Sequence, residues 1–374
     1  MNKNLLSICL KGQIGRGGFS RIFSCVEQRF VNSSSVSTVL DQICPRQVVP
    51  NQPLKAVKCI PNSEICGPLY MFECALMSKR RHMNLNFASN IGFGLDKVYI
   101  VQDLAVGDLY EWRKTRFSQT QPTFKLIQTW LIQIISALSY LHSQNICHGD
   151  VKAANVLLMP DSSSRLTDFT LSIQLDWVSN TPTRSVCTTS HRPLEVWLGQ
   201  PWGLPVDIWA FGCLMHELYF GGSPFSSSKD GQITKDDIVN KIQTFSNSDS
   251  EFSTQLKTIL QVDPKLRPTA NEVKHMLGGT PDHFESNSNL KEHKRPKLPS
   301  SLGNNLPEHM IWTLFDLIKD IKDIKDSDKV KTCAFIYSKM IHGSNVARGF
   351  LNDVGKWIEL ERRILKFVNF DIPF

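Results

Sequence analysis

Two short polar segments of the sequence carry residues that could perform phosphoryl-transfer chemistry. The first, CHGDVKAANVLL, contains Asp150, Lys152 and Asn155. The second, LTDFTLS, contains Asp168. Phosphoryl transfer requires a carboxylate that orients a hydroxyl nucleophile, oxygen ligands for Mg²⁺, and a cation that offsets the charge of the moving group. These side chains together meet all of those requirements.

A lysine inside an apolar strand is a second charged feature. Lys58 lies in the middle of the run LKAVKCI, where an unpaired ammonium would cost several kcal/mol. Glu73, on a helix predicted at about residues 68–79, is the expected partner because of its spacing from apolar neighbours. The alternative is a lysine at a strand edge that extends its ammonium into water.

The segment IGRGGFS predicts a strand that runs into a glycine turn. Gly15 and Gly17 would let backbone N–H groups approach phosphate oxygens closely, because no side chain intervenes. Taken alone, this signal is weak, since glycine-rich hairpins are common.

The elements that must position these residues change in character along the chain. Short apolar runs up to Ile60 predict β-strands, interrupted by a polar, serine-rich insert at about 32–52, and residues 98–101 predict a further strand. Apolar residues recur at helical spacing over 124–142, which predicts a long, mostly buried helix. Helices are expected to dominate from there to about residue 277.

A change of composition near residue 278 predicts a domain boundary. The stretch 279–305 is rich in Gly, Pro, Ser, Asn and charged residues, which is typical of a flexible linker. Its basic run KEHKRPK is either a solvated tether or a nuclear-import or anion-binding patch. Residues 306–374 contain further predicted helices.

The composition is that of a folded protein. Hydrophobic residues make up 41% and charged residues 21% of the chain, so disorder, collagen and coiled coil do not describe it as a whole. We expect no membrane association, because no apolar run approaches the roughly 18 residues of a membrane helix. The net charge of +7 is spread along the chain, so we expect no specific nucleic-acid partner. Ten scattered cysteines predict reduced thiols and an intracellular location, cytoplasmic or nuclear, and the alternative is a disulfide or metal framework.

From about residue 9 to 278 the sequence resembles a eukaryotic-type protein kinase. The motifs follow the family order: the glycine loop, a strand lysine, a helix glutamate, the catalytic loop, a metal-binding aspartate, RPLE, DIWAFGC and DPKLRPTA. The resemblance implies an α+β, two-lobed fold with a β-rich N-lobe at about 9–103, a helical C-lobe at about 106–278, and ATP in the cleft between them. It also implies a serine/threonine protein kinase that uses ATP and Mg²⁺ and acts on protein substrates.

The resemblance implies that four residues are catalytic. Lys58 would hold the α- and β-phosphates of ATP and pair with Glu73. Asp150 would orient the substrate hydroxyl, and Lys152 would neutralise the γ-phosphate.

The family pattern also implies the cofactor contacts. Asn155 and Asp168 would bind Mg²⁺. Further contacts with ATP would come from the glycine loop, the adjoining strands, the hinge and the catalytic loop, at Ile14, Gly15, Arg16, Gly17, Gly18, Phe19, Ser20, Ile22, Ala56, Gln102, Asp103, Ala105 and Leu157.

Four other motif residues are implied to have structural or specificity roles. Glu195 and Arg267 would form an ion pair within the C-lobe, and Asp207 would hold the catalytic loop. Thr188 falls where serine/threonine kinases place a threonine that contacts the catalytic aspartate and lysine, which favours Ser/Thr specificity.

The hinge segment and three departures from the family refine this interpretation. The segment VYIVQDLAVGDLY is similar to the hinge of MAP kinases, with Gln102 as gatekeeper, and points to the branch of MAP and cyclin-dependent kinases. Ser20 replaces the third loop glycine, and Thr170 replaces a glycine at a mobile turn. Gly149 replaces an arginine that commonly pairs with an activation-loop phosphate, which argues against activation by loop phosphorylation. A catalytically weak pseudokinase scaffold is the alternative function.

The C-terminal helices resemble the later helices of a cyclin box. The segments KTCAFIYSKMI and WIELERRILKFVNFDIPF carry this resemblance, and Lys339 and Glu361 would contact a partner kinase. The resemblance implies a small all-α module at 306–374 that activates the kinase in cis through the linker. The alternatives are an amphipathic tail that packs on the C-lobe and a module that recruits substrates or a host kinase.

Overall fold

The fold is taken from a computed structural model, which describes residues 5–16, 20–30, 54–61, 73, 76–77, 82–93, 97–116, 124–175, 186–225, 235–245 and 251–280. Within these ranges the chain divides into two units: the first comprises the residues up to 80 together with 87–104, and the second comprises 81–86 and the residues from 105 onward. The predicted module at 306–374 and most of the predicted linker lie outside the described residues, as do Gly17, Gly18 and Phe19.

One antiparallel sheet builds the first unit. Its central strand, β3, is buried on both faces from Val57 to Ile60, which explains why its sequence is an apolar run rather than an alternating pattern. Asn90 and Gly92 are poor strand formers, and strand β4 was accordingly not predicted from the sequence. The strands run in the order β1-β2-β3-β5-β4 and are β1 (Leu5–Arg16), β2 (Arg21–Phe30), β3 (Lys55–Pro61), β4 (Ala88–Phe93) and β5 (Lys97–Asp103).

The second unit is mainly helical, as expected. Its α-helices are α1 (Leu109–Arg116), α2 (Phe124–His142), α3 (Leu194–Trp197), α4 (Pro205–Phe220), α5 (Lys235–Thr244), α6 (Glu251–Ile259) and α7 (Ala270–Met276). Helix α2 has the predicted bounds and packs against α7. Among the described residues it is the one helix long and apolar enough to cross a membrane, but 56% of that span is buried inside the unit, as in a core helix.

Short strands interrupt the helices, which the sequence reading missed. Strands β6 (Gly107–Asp108), β8 (Val156–Leu158) and β9 (Ser164–Leu166) form one small sheet, and β7 (Ile146–Cys147) pairs with β10 (Ile173–Gln174). Strands of two or three residues are too short to show a period. They matter because β7 and β8 fix both ends of the first polar segment, and β9 and β10 fix both ends of the second.

A short segment before β4 belongs to the second unit because it hydrogen-bonds to β9. The Asn86 N–H donates to the Leu166 carbonyl at 2.9 Å, and the Leu166 N–H donates to the Asn84 carbonyl at 2.8 Å. The Asn84 side-chain amide donates to the Ser164 carbonyl at 3.1 Å. The range predicted for the N-lobe therefore contains a few residues that fold with the second unit.

Candidate active site

Asp150 lies at the centre of a hydrogen-bond network that follows β7. Its Oδ2 accepts from the Asn155 amide at 2.9 Å and lies 2.7 Å from the Lys152 ammonium. Its Oδ1 accepts from the Thr188 N–H at 3.0 Å and from the Thr188 hydroxyl at 2.8 Å. A carboxylate has about four acceptor positions, so this one is fixed in a single orientation.

Lys152 is more accessible than Asp150 in this network. Its ammonium also donates to the Thr188 hydroxyl at 2.8 Å, and 27% of its side chain is exposed, against 9% for Asp150. Lysine carries its charge on a flexible stem with rotatable donors. Lys152 can therefore turn toward an incoming anion while Thr188 keeps Asp150 in place.

Asn155 and Asp168 have the donor atoms that Mg²⁺ prefers. The Asn155 Nδ2 donates to both the backbone carbonyl and the carboxylate of Asp150, at 2.8 and 2.9 Å, so the amide oxygen is the atom left to face a cation. The Thr167 N–H donates to the Asn155 carbonyl at 2.9 Å, which holds the chain just before Asp168 against the catalytic loop. Mg²⁺ is commonly held by one or two carboxylates together with substrate phosphates and water.

The donor set fits Mg²⁺ held jointly with a nucleotide rather than by the protein alone. No cluster of three or more His, Cys, Asp or Glu side chains suited to a metal occurs in the part of the chain that the structure describes. One carboxylate and one amide oxygen leave several positions for phosphate and water, as Mg²⁺ requires.

Asp207, on α4, holds the catalytic loop through hydrogen bonds to its backbone. It accepts hydrogen bonds from the backbone N–H groups of His148 at 2.7 Å and Gly149 at 2.8 Å, and from His142 Nε2 at 3.0 Å. Its complete burial disfavours the charged form, but the hydrogen bond from His142, the charges of His142 and His148 and the Gly149 N–H outweigh burial and lower the pKa of Asp207.

The backbone at Gly149 leaves no room for a side chain. Its φ is +80°, and a Cβ there would lie 2.7 Å from the Leu171 carbonyl oxygen. Glycine is the residue that adopts this conformation without penalty. In this geometry the catalytic loop has no side chain at position 149 that could contact a phosphate.

The ion pair predicted in the first unit is formed. Lys58 Nζ lies 2.7 Å from Glu73 Oε1, and both side chains are buried. Strand register places Ile22 opposite both Gly15 and Lys58.

The other sites predicted for ATP fall in three places. Ala56 and Gln102 face each other across β3 and β5. Asp103 is bound by Lys55 at 2.6 Å, while Ala105 and Leu157 belong to the second unit. Ile14, Arg16 and Ser20 flank the turn whose centre lies outside the described residues.

Comparison with known proteins decides the family. The sequence pattern of the protein kinase domain matches residues 46–277, which is more than half of the chain. The chain belongs to the protein kinase family. Members of this family use ATP and Mg²⁺. The glycine loop at 14–20 precedes the matched range.

Several serine/threonine kinases are similar to part of this chain. An Aurora kinase of Yarrowia lipolytica is 28% identical over 57% of this chain and 58% of its own length. Calcium/calmodulin-dependent protein kinase cmkA of Emericella nidulans is 30% identical over 59% and 55%. Serine/threonine-protein kinase AtPK2/AtPK19 of Arabidopsis thaliana is 32% identical over 45% and 33%. The chain spans about half the length of the curated relatives it matches.

The kinase domain contains a further clamp that the sequence analysis missed. Arg192 donates to the carbonyl oxygens of Val186 at 3.0 Å and Cys187 at 2.9 Å, and its guanidinium lies 4.8 Å from the centre of the Trp197 ring. Cys187 has a φ of 62°, and its N–H donates to the Gly149 carbonyl at 2.8 Å. This clamp holds the residue that precedes Thr188. An arginine directly before the PLE motif was the available signal.

The structural ion pair expected in the C-lobe of the kinase is also present. Arg267 contacts Glu195 through both terminal nitrogens, at 2.6 and 2.9 Å, and its side chain is fully buried. The guanidinium also donates to the carbonyls of Gln261, Pro205 and Val262. Bidentate geometry and additional acceptors satisfy a buried charge that would otherwise be costly.

Proposed function

We propose that this protein kinase transfers the γ-phosphate of ATP to serine or threonine hydroxyls of protein substrates. The observation that carries the proposal is the network in which Lys152 and Thr188 fix the Asp150 carboxylate. A carboxylate held in one orientation can accept or direct the proton of a substrate hydroxyl, provided that the hydroxyl takes the place of one of its present partners.

The other side chains of the predicted site have complementary roles. Lys152, the accessible cation of the network, offsets negative charge on the transferred group. Asn155 and Asp168 would hold Mg²⁺, which would supply positive charge to offset that of the phosphates. Lys58 holds the α- and β-phosphates, and its pairing with Glu73 stabilises an ammonium that would otherwise be buried alone.

Two features support serine/threonine specificity. Thr188 contacts both Asp150 and Lys152, as the family pattern implies for this class. The relatives named above include kinases described as calcium/calmodulin-dependent and serine/threonine-specific. Placement in the branch of MAP and cyclin-dependent kinases is a finer proposal that rests on the hinge residues 98–110 alone.

Regulation follows from the conformation at Gly149. Because this position has no side chain, we propose that the catalytic loop does not bind a phosphate on the activation loop through residue 149. The activating element would instead be the helical module at 306–374, tethered by 279–305 to a kinase domain at about 9–278. Four described cysteines, Cys59, Cys147, Cys187 and Cys213, are buried and free, which supports an intracellular location, cytoplasmic or nuclear.

Phosphate transfer from labelled Mg-ATP to a generic basic protein tests the proposal. Asp168→Ala should lower kcat by at least about a hundredfold, because it removes the carboxylate that would hold Mg²⁺, the ion whose positive charge offsets that of the transferred group. Asp161→Ala is the matched control, since Asp161 is exposed and contacts Ser163 in a surface turn.

Two results decide between the functions. Loss of transfer in Asp168→Ala with normal transfer in Asp161→Ala supports the enzyme. Binding of ATP by the unaltered chain without any transfer would overturn it and leave the pseudokinase scaffold, whose sequence support is Gly149 and Thr170.

A further inference from the structure

The residue that replaces a family glycine makes a bond to the proposed metal ligand. The Thr170 hydroxyl donates to Asp168 Oδ1 at 2.7 Å. Among the described non-glycine residues, left-handed φ values occur at Asn145, Ser162, Asp168 and Cys187, and Thr170 is not one of them. The glycine that the family has at this position is therefore not needed for a left-handed φ in this conformation.

The backbone on both sides of Asp168 is already anchored to the catalytic loop. On one side, the Thr167 carbonyl oxygen lies 3.1 Å from His148 Nε2. On the other side, Phe169 is fully buried with its ring 5.3 Å from that of His148. Asp168 lies between these anchors with a φ of 65°.

These anchors act on the backbone, whereas the Thr170 hydroxyl acts directly on the carboxylate of Asp168. A metal ligand that rotates must lose that freedom when it binds. The Thr170 hydroxyl occupies one acceptor position of Oδ1 and so favours one orientation of the carboxylate before any metal arrives.

We propose that Thr170 is a positioning residue for the Mg²⁺ ligand Asp168, whose carboxylate orientation it fixes through its hydroxyl. The proposal rests on the proposed function, because it takes Asp168 as a metal ligand. Groups that orient a metal ligand typically change metal affinity 10- to 100-fold when they are removed. In this kinase, the substitution of the family glycine therefore supplies a bond that glycine lacks.

Direct metal binding tests the proposal without relying on activity. The full chain is titrated with Mn²⁺ in the presence of saturating adenylyl imidodiphosphate, and bound Mn²⁺ is followed by electron paramagnetic resonance. Thr170→Val removes the hydroxyl at nearly constant shape and should weaken Mn²⁺ binding by about 10- to 100-fold. Thr170→Ser keeps the hydroxyl and should stay within about threefold of the unaltered chain.

Two controls separate orientation from folding and packing. Thr129→Val removes a hydroxyl that bonds the Lys125 carbonyl on the exposed side of α2, and it should leave Mn²⁺ binding unchanged. Nucleotide binding in the presence of a chelator should be the same for Thr170→Val as for the unaltered chain, because the expected defect concerns the metal alone. A fall in this metal-free binding would indicate damage to the fold and overturn the positioning role.

The outcomes distinguish this inference from the proposed function. Equal Mn²⁺ affinity in Thr170→Val and the unaltered chain overturns the positioning role, and so does equal weakening in Thr170→Ser and Thr170→Val, which would indicate packing of the methyl group. If Asp168→Asn leaves Mn²⁺ binding intact, Asp168 is not the ligand and the proposed function loses its metal site together with this inference.

Discussion

At the scale of single residues, the site depends on buried polar groups that each satisfy several partners. Asp207 is the clearest case, because it is fully buried and accepts hydrogen bonds from two backbone N–H groups and one histidine. Such a group stabilises the fold only while it is charged and fully hydrogen-bonded. Its replacement should therefore be felt in stability and in the order of the catalytic loop.

Asp207→Asn should lower the free energy of unfolding by about 1–3 kcal/mol near pH 7, because an amide nitrogen would face a buried donor that loses its acceptor. The sign of the pH dependence follows from the lowered pKa of Asp207. A carboxyl group whose pKa is lowered in the folded protein stabilises the fold at pH values above the ordinary Asp pKa of about 3.9. This contribution to the free energy of unfolding is lost as the pH falls through the pKa of the folded protein. The difference between the two proteins should therefore shrink in acid.

Denaturant unfolding of both proteins between about pH 7 and pH 3 measures this difference. Asp236→Asn, at an exposed position in α5, is the control and should stay within about 0.5 kcal/mol of the unaltered chain. A difference that persists undiminished at the lowest pH would contradict the assigned charge of Asp207.

Single residues also show what could be predicted from sequence. The partnership of Lys58 with Glu73 was predicted from the cost of a buried charge, and the structure places the two atoms 2.7 Å apart. The hydroxyl bond from Thr170 to Asp168 was not, because spacing shows that a glycine is missing but does not show which way its replacement points. The energetic cost of an unpaired buried charge predicts that a partner exists. The direction in which a side chain points can be predicted only when the conformation of the backbone is known.

At the scale of elements, the kinase aligns its catalytic loop by docking one segment onto it. The Cys187 N–H donates to the Gly149 carbonyl, and Thr188 binds Asp150. Arg192 holds this segment from the other side through two carbonyls and the Trp197 ring. The planar fork of arginine suits this task, since lysine is a point charge that cannot reproduce it.

Arg192→Lys should lower kcat by about tenfold with little change in the KM for ATP, because a lost aligned hydrogen bond of about 1.4 kcal/mol misplaces Thr188. Arg113→Lys is the matched control. Arg113 is also partly buried, bonds the Gly221 carbonyl and lies over the Tyr110 ring at 5.4 Å.

Steady-state kinetics and thermal unfolding of both variants separate alignment from stability. Arg113→Lys should keep its kcat even where its unfolding temperature falls. If Arg192→Lys and Arg113→Lys lose kcat in proportion to their unfolding temperatures, the role of Arg192 is general stability and the alignment argument fails.

Elements differ in how far sequence predicts them. Helix α2 was predicted with its observed bounds because its apolar period extends over its whole length. Strands β6 to β10 were missed because each is two or three residues long, and their pairing is set by partners distant in sequence. The residues of the candidate site lie in the loops between those strands, and their assignment stays a prediction that rests on the family motif they carry.

At the scale of the whole molecule, the question is what would activate a kinase that has glycine at position 149 in place of an arginine that could bind a phosphate. We propose that the module at 306–374 provides this control. A flexible tether of the length predicted at 279–305 would raise the effective concentration of an attached module to roughly millimolar. Coupling between two sites typically changes the affinity of one of them by about 5- to 150-fold.

Truncation after Thr280 tests this regulation. The cut keeps the end of α7, where the N–H groups of Gly278 and Gly279 bond the carbonyls of His275 and Lys274. We expect the truncated chain to have a kcat/KM about 5- to 150-fold lower than the full chain, because the tethered module is lost. Residues 306–374 added in trans should restore activity only near millimolar concentration, which matches the effective concentration of a tethered module.

Point variants of the full chain make the test specific. Lys339→Ala and Glu361→Ala should each reproduce part of the loss, because the cyclin-box resemblance places these residues at the contact with the kinase. Lys291→Ala in the tether is the matched control and should leave activity unchanged. A truncated chain that is as active as the full chain would overturn activation in cis while leaving the kinase activity itself established, and recruitment of substrates would then be the role to test for the module.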